Sequence, residues 1–176
     1  MKILSLDLSY AKTGWSVLSI KEDNITIIAC GLITSNKELE PNKRIYETIE
    51  KINKIYSLYS PDFVLKEGAI MGRSSTGLNV IKTHGAYEYS LTINDRDFND
   101  VHNATIESWC RNYLIDYHNF DKNDIKNMNK KLMVATAIEK YFNKTINEIW
   151  TPKGKLIDDI ADSIAIVLTA YYRGLL

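Results

Sequence analysis

KILSLDLSYAKTGWSVLSIKEDNITIIACGLIT, residues 2–34, holds three runs of β-favouring residues separated by short polar turns. KILSLDL, TGWSVLSI and NITIIACGLIT are each long enough for a strand, and connections this short predict an antiparallel meander. Within the first run, alternation puts Ile3, Ser5 and Asp7 on one side and Leu4, Leu6 and Leu8 on the other. Asp7 interrupts an otherwise apolar strand. A carboxylate there, in a first and central strand, is costly to bury unless something charged meets it.

Beyond the meander, Ile45, Ile49, Ile52, Ile55 or Tyr56, and Tyr59 recur at helical spacing through NKRIYETIEKINKIYSLYS. Pro61 and Asp62 break that helix, and DFVLKE reads as another short strand, ending in Glu67. A Gly/Ser-rich link, GRSSTG, leads into a helical pattern from Leu78 to Leu91. A strand is expected near Phe98 to His102, and a helix over Ile106 to Leu114. The polar stretch DYHNFDKNDIKNMNKK is the best candidate for a mobile loop or insertion. LMVATAIEKYF then predicts a helix, and TPKGK introduces a final one in LIDDIADSIAIVLTAYYR. With no internal repeat and no domain boundary, the chain is expected to form one domain over residues 1–176. The expected class is α/β: a mixed sheet with helices packed on its faces.

At 176 residues, 45% hydrophobic and 25% charged, the composition is that of an ordinary globular protein. The formal net charge is zero, so no global basicity announces nucleic acid. Charge is unevenly spread, however. Residues 121–155 carry eight lysines against four acidic residues, and Glu67 is the only acid between Lys66 and His84. Such local basic surface can attract a polyanion, although a solvated lysine-rich face would look the same. Cys30 and Cys110 share no metal-ligand or disulfide-framework spacing and read as small buried hydrophobes in a reducing compartment. The N-terminus, interrupted at Asp7, does not read as a signal peptide, and no apolar run approaches a membrane span. A cytoplasmic location is therefore expected.

The acids decide the chemistry. Asp158, Asp159 and Asp162 crowd the start of the final helix, where Asp162 shares a face with each of the other two. They lie at the edge of an apolar stripe formed by Ile157, Ile160, Ala161, Ile164, Leu168 and Tyr171. Each acid has a bland explanation. Asp158 and Asp159 would complement the helix dipole, Asp7 would pair with a lysine or cap a turn, and Glu67 would face solvent. These explanations lack a common cause. Three segments each place an acid at an awkward, half-buried position, and gathered together they would repel and raise one another's pKa. A divalent cation removes that penalty. Mg²⁺ prefers carboxylate oxygens plus water and phosphate, and two ions form a known solution for in-line attack on a phosphodiester.

In order and in residues, the chain resembles the RuvC-type Holliday junction resolvases of the RNase H-like nuclease superfamily over almost its whole length. The resemblance is carried by LSLDLSYAKTGWSV, FVLKEGAIMGRSSTG with THGA beyond it, NKKLMVATAIEKYF and DDIADSIAIVLTA. The family's first carboxylate and its TG-aromatic turn fall on Asp7 with Thr13, Gly14 and Trp15. Its strand-end glutamate falls on Glu67, and its last two acids on Asp159 and Asp162, leaving Asp158 as a cap or accessory acid. The family lysine that opens the penultimate helix fits Lys131, with Lys130 beside it. There are departures. Leu8-Ser9 stands where the family has Pro-Gly. Ile70 and then Met71 stand where cellular members carry an aromatic, so an apolar wedge remains possible but base stacking does not. A second family lysine has no clear match between Ile106 and Arg111. The wealth of Asn, Ile and Lys is what phage or viral members from AT-rich genomes would show.

The resemblance implies an RNase H-like five-stranded sheet that opens with the antiparallel three-strand meander. It implies a homodimer that sets two active sites on a four-way DNA junction and nicks two symmetry-related strands, leaving 5′-phosphate and 3′-hydroxyl ends. Asp7, Glu67, Asp159 and Asp162 would hold two Mg²⁺ ions, with Mn²⁺ able to substitute. Arg73, Lys82, Lys130 and Lys131 are the candidate phosphate contacts, which position duplex arms without reading sequence. His84, His102 and His118 are expected at the surface or near the DNA backbone, since two-metal chemistry needs no histidine. An actin-like ATPase or sugar kinase would also begin with a strand aspartate and a TG turn. It would need a second domain and a glycine-rich adenosine site, and neither is expected from this sequence. Nucleases acting on flaps or RNA/DNA hybrids share the same acids. A non-catalytic junction binder would be expected to have lost one of the four.

Overall fold

The computed structural model describes residues 1–22, 24–69 and 75–176, and of residues 75 and 76 only the backbone. Three strands, β1 (Lys2–Asp7), β2 (Lys12–Lys21) and β3 (Asn24–Thr34), form the antiparallel meander. Helix α1 (Pro41–Tyr59) follows, with a proline in its first turn and Ser60 closing it in the left-handed region. Then come β4 (Phe63–Glu67), α2 (Ser75–Ile93), β5 (Phe98–Val101), α3 (Asn103–His118), α4 (Lys122–Asn127), α5 (Lys130–Phe142) and α6 (Asp158–Tyr172). The sheet order is β3-β2-β1-β4-β5, with β4 and β5 parallel to their neighbours. The mixed five-stranded sheet is thus as expected, with β1 at its centre.

Side-chain alternation assigns the two faces. Leu4, Leu6, Leu8, Val17 and Val64 pack with Ile45, Ile49 and Ile52 of α1 and with Tyr87 and Leu91 of α2. Ile3, Leu18 and Leu65 pack on the other face with α3, α5 and α6. Asp7 continues the row of Ile3 and Ser5, so its carboxylate is directed to the α6 side.

The expected apolar stripe on α6 proved too narrow. From Ile160 to Ala170 every residue except Asp162 is buried, because α6 is covered by the sheet beneath it and by α3 and α5 beside it. A helix enclosed on all sides carries apolar residues all round. The stretch expected to be a mobile loop is also ordered locally. Asp121 accepts hydrogen bonds from the backbone N–H groups of Asn123 and Asp124, which starts α4, and Ile125 is buried beneath it. Asn129 caps α5 in the same way. Polar composition concealed two capping residues and one anchoring apolar side chain. No helix among the described residues is long and apolar enough to cross a membrane.

One contact fixes α6 against the sheet. A Cβ at Gly14 of β2 would lie 1.8 Å from the Asp159 carbonyl oxygen and 2.8 Å from the Ile160 nitrogen. Only a residue without a side chain lets the helix start rest on the strand. Gly14→Ala is therefore expected to cost on the order of 3 kcal/mol or more, or to prevent folding, because backbone must move. Urea denaturation of the variant checks this, and wild-type stability would show that α6 does not rest there.

Candidate active site

Asp7 ends β1 and Glu67 ends β4. The parallel register runs to Leu6 opposite Lys66, which puts the two acids side by side one step further on. Both belong to the rows that face α6. The approach at Gly14 brings the start of α6 over this strand end, and with it Asp159 and Asp162.

The electrostatics record the gathering. Asp7 is pushed well above its ordinary range by burial, then by the charges of Glu67 and Asp162, by a hydrogen bond with Glu67, and by Asp159. Asp162 is pushed up to about 7 by burial, then by Glu67, Asp158 and Asp159, with Lys131 opposing. Asp159 is raised by burial and then by Asp158. Asp158 behaves differently. Burial disfavours its charge, but a hydrogen bond from Lys131, its own backbone N–H and the charges of Lys131 and Lys12 together outweigh that and hold its carboxyl below the ordinary range. The same bond raises Lys131. Neither Asp158 nor Asp159 caps the helix, whose N-cap is Ile157 with no side-chain bond to the first turn.

A cleft of ≈ 220 Å³ opens beside the acids, lined by Glu67, Asp162, Lys130, Lys131, Asn103, Glu107, Ile106 and Val134. Lys130 pairs with Glu107 at 2.9 Å and Lys131 pairs with Asp158, so both lysines stand at the cleft with acidic partners. The structure thus brings Asp7, Glu67, Asp159, Asp162, Asp158, Lys130 and Lys131 into one neighbourhood. Lys82 is not among them. It is exposed on α2, on the opposite face of the sheet, beside Ile45, Tyr46 and Ile49 of α1. Arg73, Ile70 and Met71 lie outside the described residues.

Two participants went unread in the sequence. Asn103, at the start of α3, donates its side-chain N–H to Glu67 Oε1 at 2.7 Å. Lys12, exposed at the start of β2, lies close enough to act on the charges of Asp158 and Asp159. Asn103 stands in no recognisable motif, and Lys12, although it lies within LSLDLSYAKTGWSV, shows no local sign of meeting α6; both reach the site only through packing. His84 was placed wrongly. It is 3% exposed, not at the surface. Its Nε2–H donates to the Leu8 carbonyl at 2.9 Å, and burial first, then the nearby Lys66 charge, keeps its pKa below the ordinary value.

All four acids offer hard oxygen donors, which suit Mg²⁺ or Mn²⁺ rather than zinc. Among the described residues, no three acidic, histidine or cysteine side chains are already closed around an ion-sized point.

No protein-family model matches the chain. A crossover junction endodeoxyribonuclease RuvC from Wolbachia sp. subsp. Drosophila simulans is 30% identical over 108 residues, covering 57% of this chain and 67% of that protein. A RuvC of Prochlorococcus marinus strain MIT 9312 is 26% identical over 169 residues, 96% of this chain and 95% of its own length. The chain belongs to the RuvC family of crossover junction endodeoxyribonucleases. Among solved structures, Thermus thermophilus RuvC in complex with a Holliday junction superposes with TM-score 0.72 at 12% identity, over 99% of this chain and 96% of that one. The yeast mitochondrial resolvase Ydc2 gives TM-score 0.62 at 15% identity, over 98% and 83%. At such identities the likeness is one of fold, the RNase H-like sheet with flanking helices.

The raised carboxyls set the pH dependence of stability. Between the ordinary aspartate value of 3.8 and about 7, the folded protein holds a proton on Asp162 that the unfolded chain has released. Stability of the metal-free protein must then fall as pH rises through that window. Asp162→Asn removes the repulsion and is expected to stabilise the metal-free protein above pH 7 by on the order of 2 kcal/mol, or about 4–8 °C in Tm. Thermal denaturation in EDTA at pH 5 and pH 8 checks it, the gain being clearly larger at the higher pH.

Proposed function

We propose that this chain is a Holliday junction resolvase that makes paired, symmetric nicks at four-way DNA junctions by two-metal-ion phosphodiester hydrolysis. The observation that carries the reading is the convergence of four carboxylates, from β1, β4 and α6, with Asp7, Asp159 and Asp162 raised by burial and then by the charges of neighbouring acids. A fold does not assemble like charges in a buried corner for stability. Asp7, Glu67, Asp159 and Asp162 would hold two Mg²⁺ ions, and Mn²⁺ would substitute. When bound, such ions supply a water of lowered pKa and stabilise the departing 3′ oxygen. Residues 1–176 act as one nuclease domain.

The remaining groups hold and orient. Asn103 fixes the Glu67 carboxylate through its 2.7 Å bond. Asp158, committed to Lys131, is an accessory acid that holds the lysine at the cleft rim. Lys130 and Lys131 contact the phosphates flanking the cut. Lys82, on the other face of the sheet, would meet a different stretch of backbone, and Arg73 is a further phosphate contact. Ile70 and Met71 are the apolar wedge at the crossover. Choice of substrate then rests on junction shape and bendability rather than on bases read directly. Two copies of the chain are needed to nick two strands symmetrically, so the active species is a homodimer.

The test is cleavage of a synthetic four-way junction beside linear duplex, flap and RNA/DNA hybrid, in Mg²⁺ and in EDTA. Paired nicks confined to the junction, lost in EDTA and reduced at least about 10³-fold by Asp7→Asn, are expected. Equal or better cutting of flaps or hybrids would reassign the substrate. The acid register has its own check: Asp159→Asn abolishes cleavage, whereas Asp158→Asn retains most of it. The reverse outcome would move the ligand to Asp158.

A further inference from the structure

Helix α2 touches the active-site strands at two places, each one residue from an acid and each from the far side of the sheet. His84 is buried, and its Nε2–H donates to the carbonyl of Leu8, which directly follows Asp7. One turn further along the same helix face, Glu88 Oε1 lies 2.7 Å from Nζ of Lys66, which directly precedes Glu67. Asp100 of β5 completes the second anchor at 2.5 Å from the same ammonium. These contacts are ion pairs rather than well-angled hydrogen bonds.

Lys66 has no exposed side-chain surface, while the two carboxylates are 39% and 41% exposed. A wholly enclosed ammonium is expensive, and an apolar side chain of similar length would fill the same space at less cost. Successive strand residues point to opposite faces, so a Lys66 held on the α2 side aims Glu67 to the α6 side. The donor from His84 does the same for the end of β1. Elsewhere α2 meets the sheet through Tyr87 and Leu91, which pack but do not fix a strand end to one point.

We propose that α2 is the element that positions the metal-holding acids, His84 acting on Asp7 through Leu8, and Glu88 and Asp100 acting on Glu67 through Lys66. These are positioning residues and touch neither substrate nor metal. The inference rests on Asp7 and Glu67 being ligands. Supporting groups of this kind typically contribute about 10–100-fold to metal affinity.

The variants are His84→Leu, which removes the donor, His84→Gln, which keeps one, and Lys66→Met, which leaves two half-exposed acids free to hydrate. Each is measured for junction affinity in EDTA, for the rise in Tm on adding Mg²⁺ without DNA, and for the Mg²⁺ concentration giving half-maximal single-turnover cleavage. His84→Leu and Lys66→Met are expected to bind the junction as the wild type does. They should need about 10-fold or more Mg²⁺ and show a smaller Mg²⁺-dependent rise in Tm. His84→Gln should restore both. An unchanged Mg²⁺ requirement in Lys66→Met overturns the proposal, as does a His84→Gln protein as defective as His84→Leu. Activity lost only in step with junction affinity overturns it as well. If Lys66→Met does not fold, the two His84 variants decide. A wild type that neither cleaves with Mg²⁺ nor is stabilised by it would remove the site reading itself, and the inference with it.

Discussion

The start of α6 lies against the backbone of β2 at Gly14, and the rest of the site depends on that approach. A helix held a side chain's thickness higher would keep its apolar residues near the core but lift Asp159 and Asp162 away from the strand ends. The close contact explains why glycine stands opposite Asp7 in the register of β1 and β2. It also explains why the TG turn and the acidic helix start belong to one device, although 145 residues separate Gly14 from Asp159 in the chain.

Magnitudes show how the fold tolerates what it has assembled. In α6, Ile160, Ile164, Ile166, Val167 and Leu168 are all buried. At about 1.5–3 kcal/mol each, they contribute on the order of 10 kcal/mol. A proton held on Asp162 up to about pH 7, and the raised carboxyl of Asp7, cost only part of that. The hydrophobic burial of the helix therefore wins over the repulsion at its first turn. The repulsion is stored at the start of a helix that the core holds firmly, where a divalent cation would relieve it.

Much of this was legible in the sequence because it is periodic or local. Alternation in KILSLDL correctly sent Asp7 to one face, and the short turns gave the meander. The acids were found because each broke an otherwise apolar pattern. What escaped depends on long-range contact. His84 and Lys66 read as polar residues of a solvated helix and strand, since nothing local shows that a carbonyl or two carboxylates will meet them. Asn103 looks like any helix-start asparagine. The 116–131 stretch read as a loop because polar composition outweighed the capping geometry of Asp121 and Asn129 and the single buried Ile125. The full enclosure of α6 was likewise invisible, because a stripe and a wholly apolar surface differ at few positions in a short helix.

The same distinction separates the two kinds of buried charge in this protein. Asp7 and Asp162 are costly groups whose relief, on the proposed function, would come from outside the chain, in the ions and phosphates that would complete the site. Lys66 is a costly group whose relief is internal, in Glu88 and Asp100. Replacing an internally paired charge with a well-packed apolar residue often leaves stability unchanged or improves it. Stability therefore does not account for Lys66. Position does. It is the residue next to Glu67, it is directed to the opposite face, and its partners belong to α2 and β5 rather than to its own strand. A charge that fixes three elements to one point, one residue from a carboxylate whose placement would decide metal binding on the proposed function, has its explanation in that carboxylate.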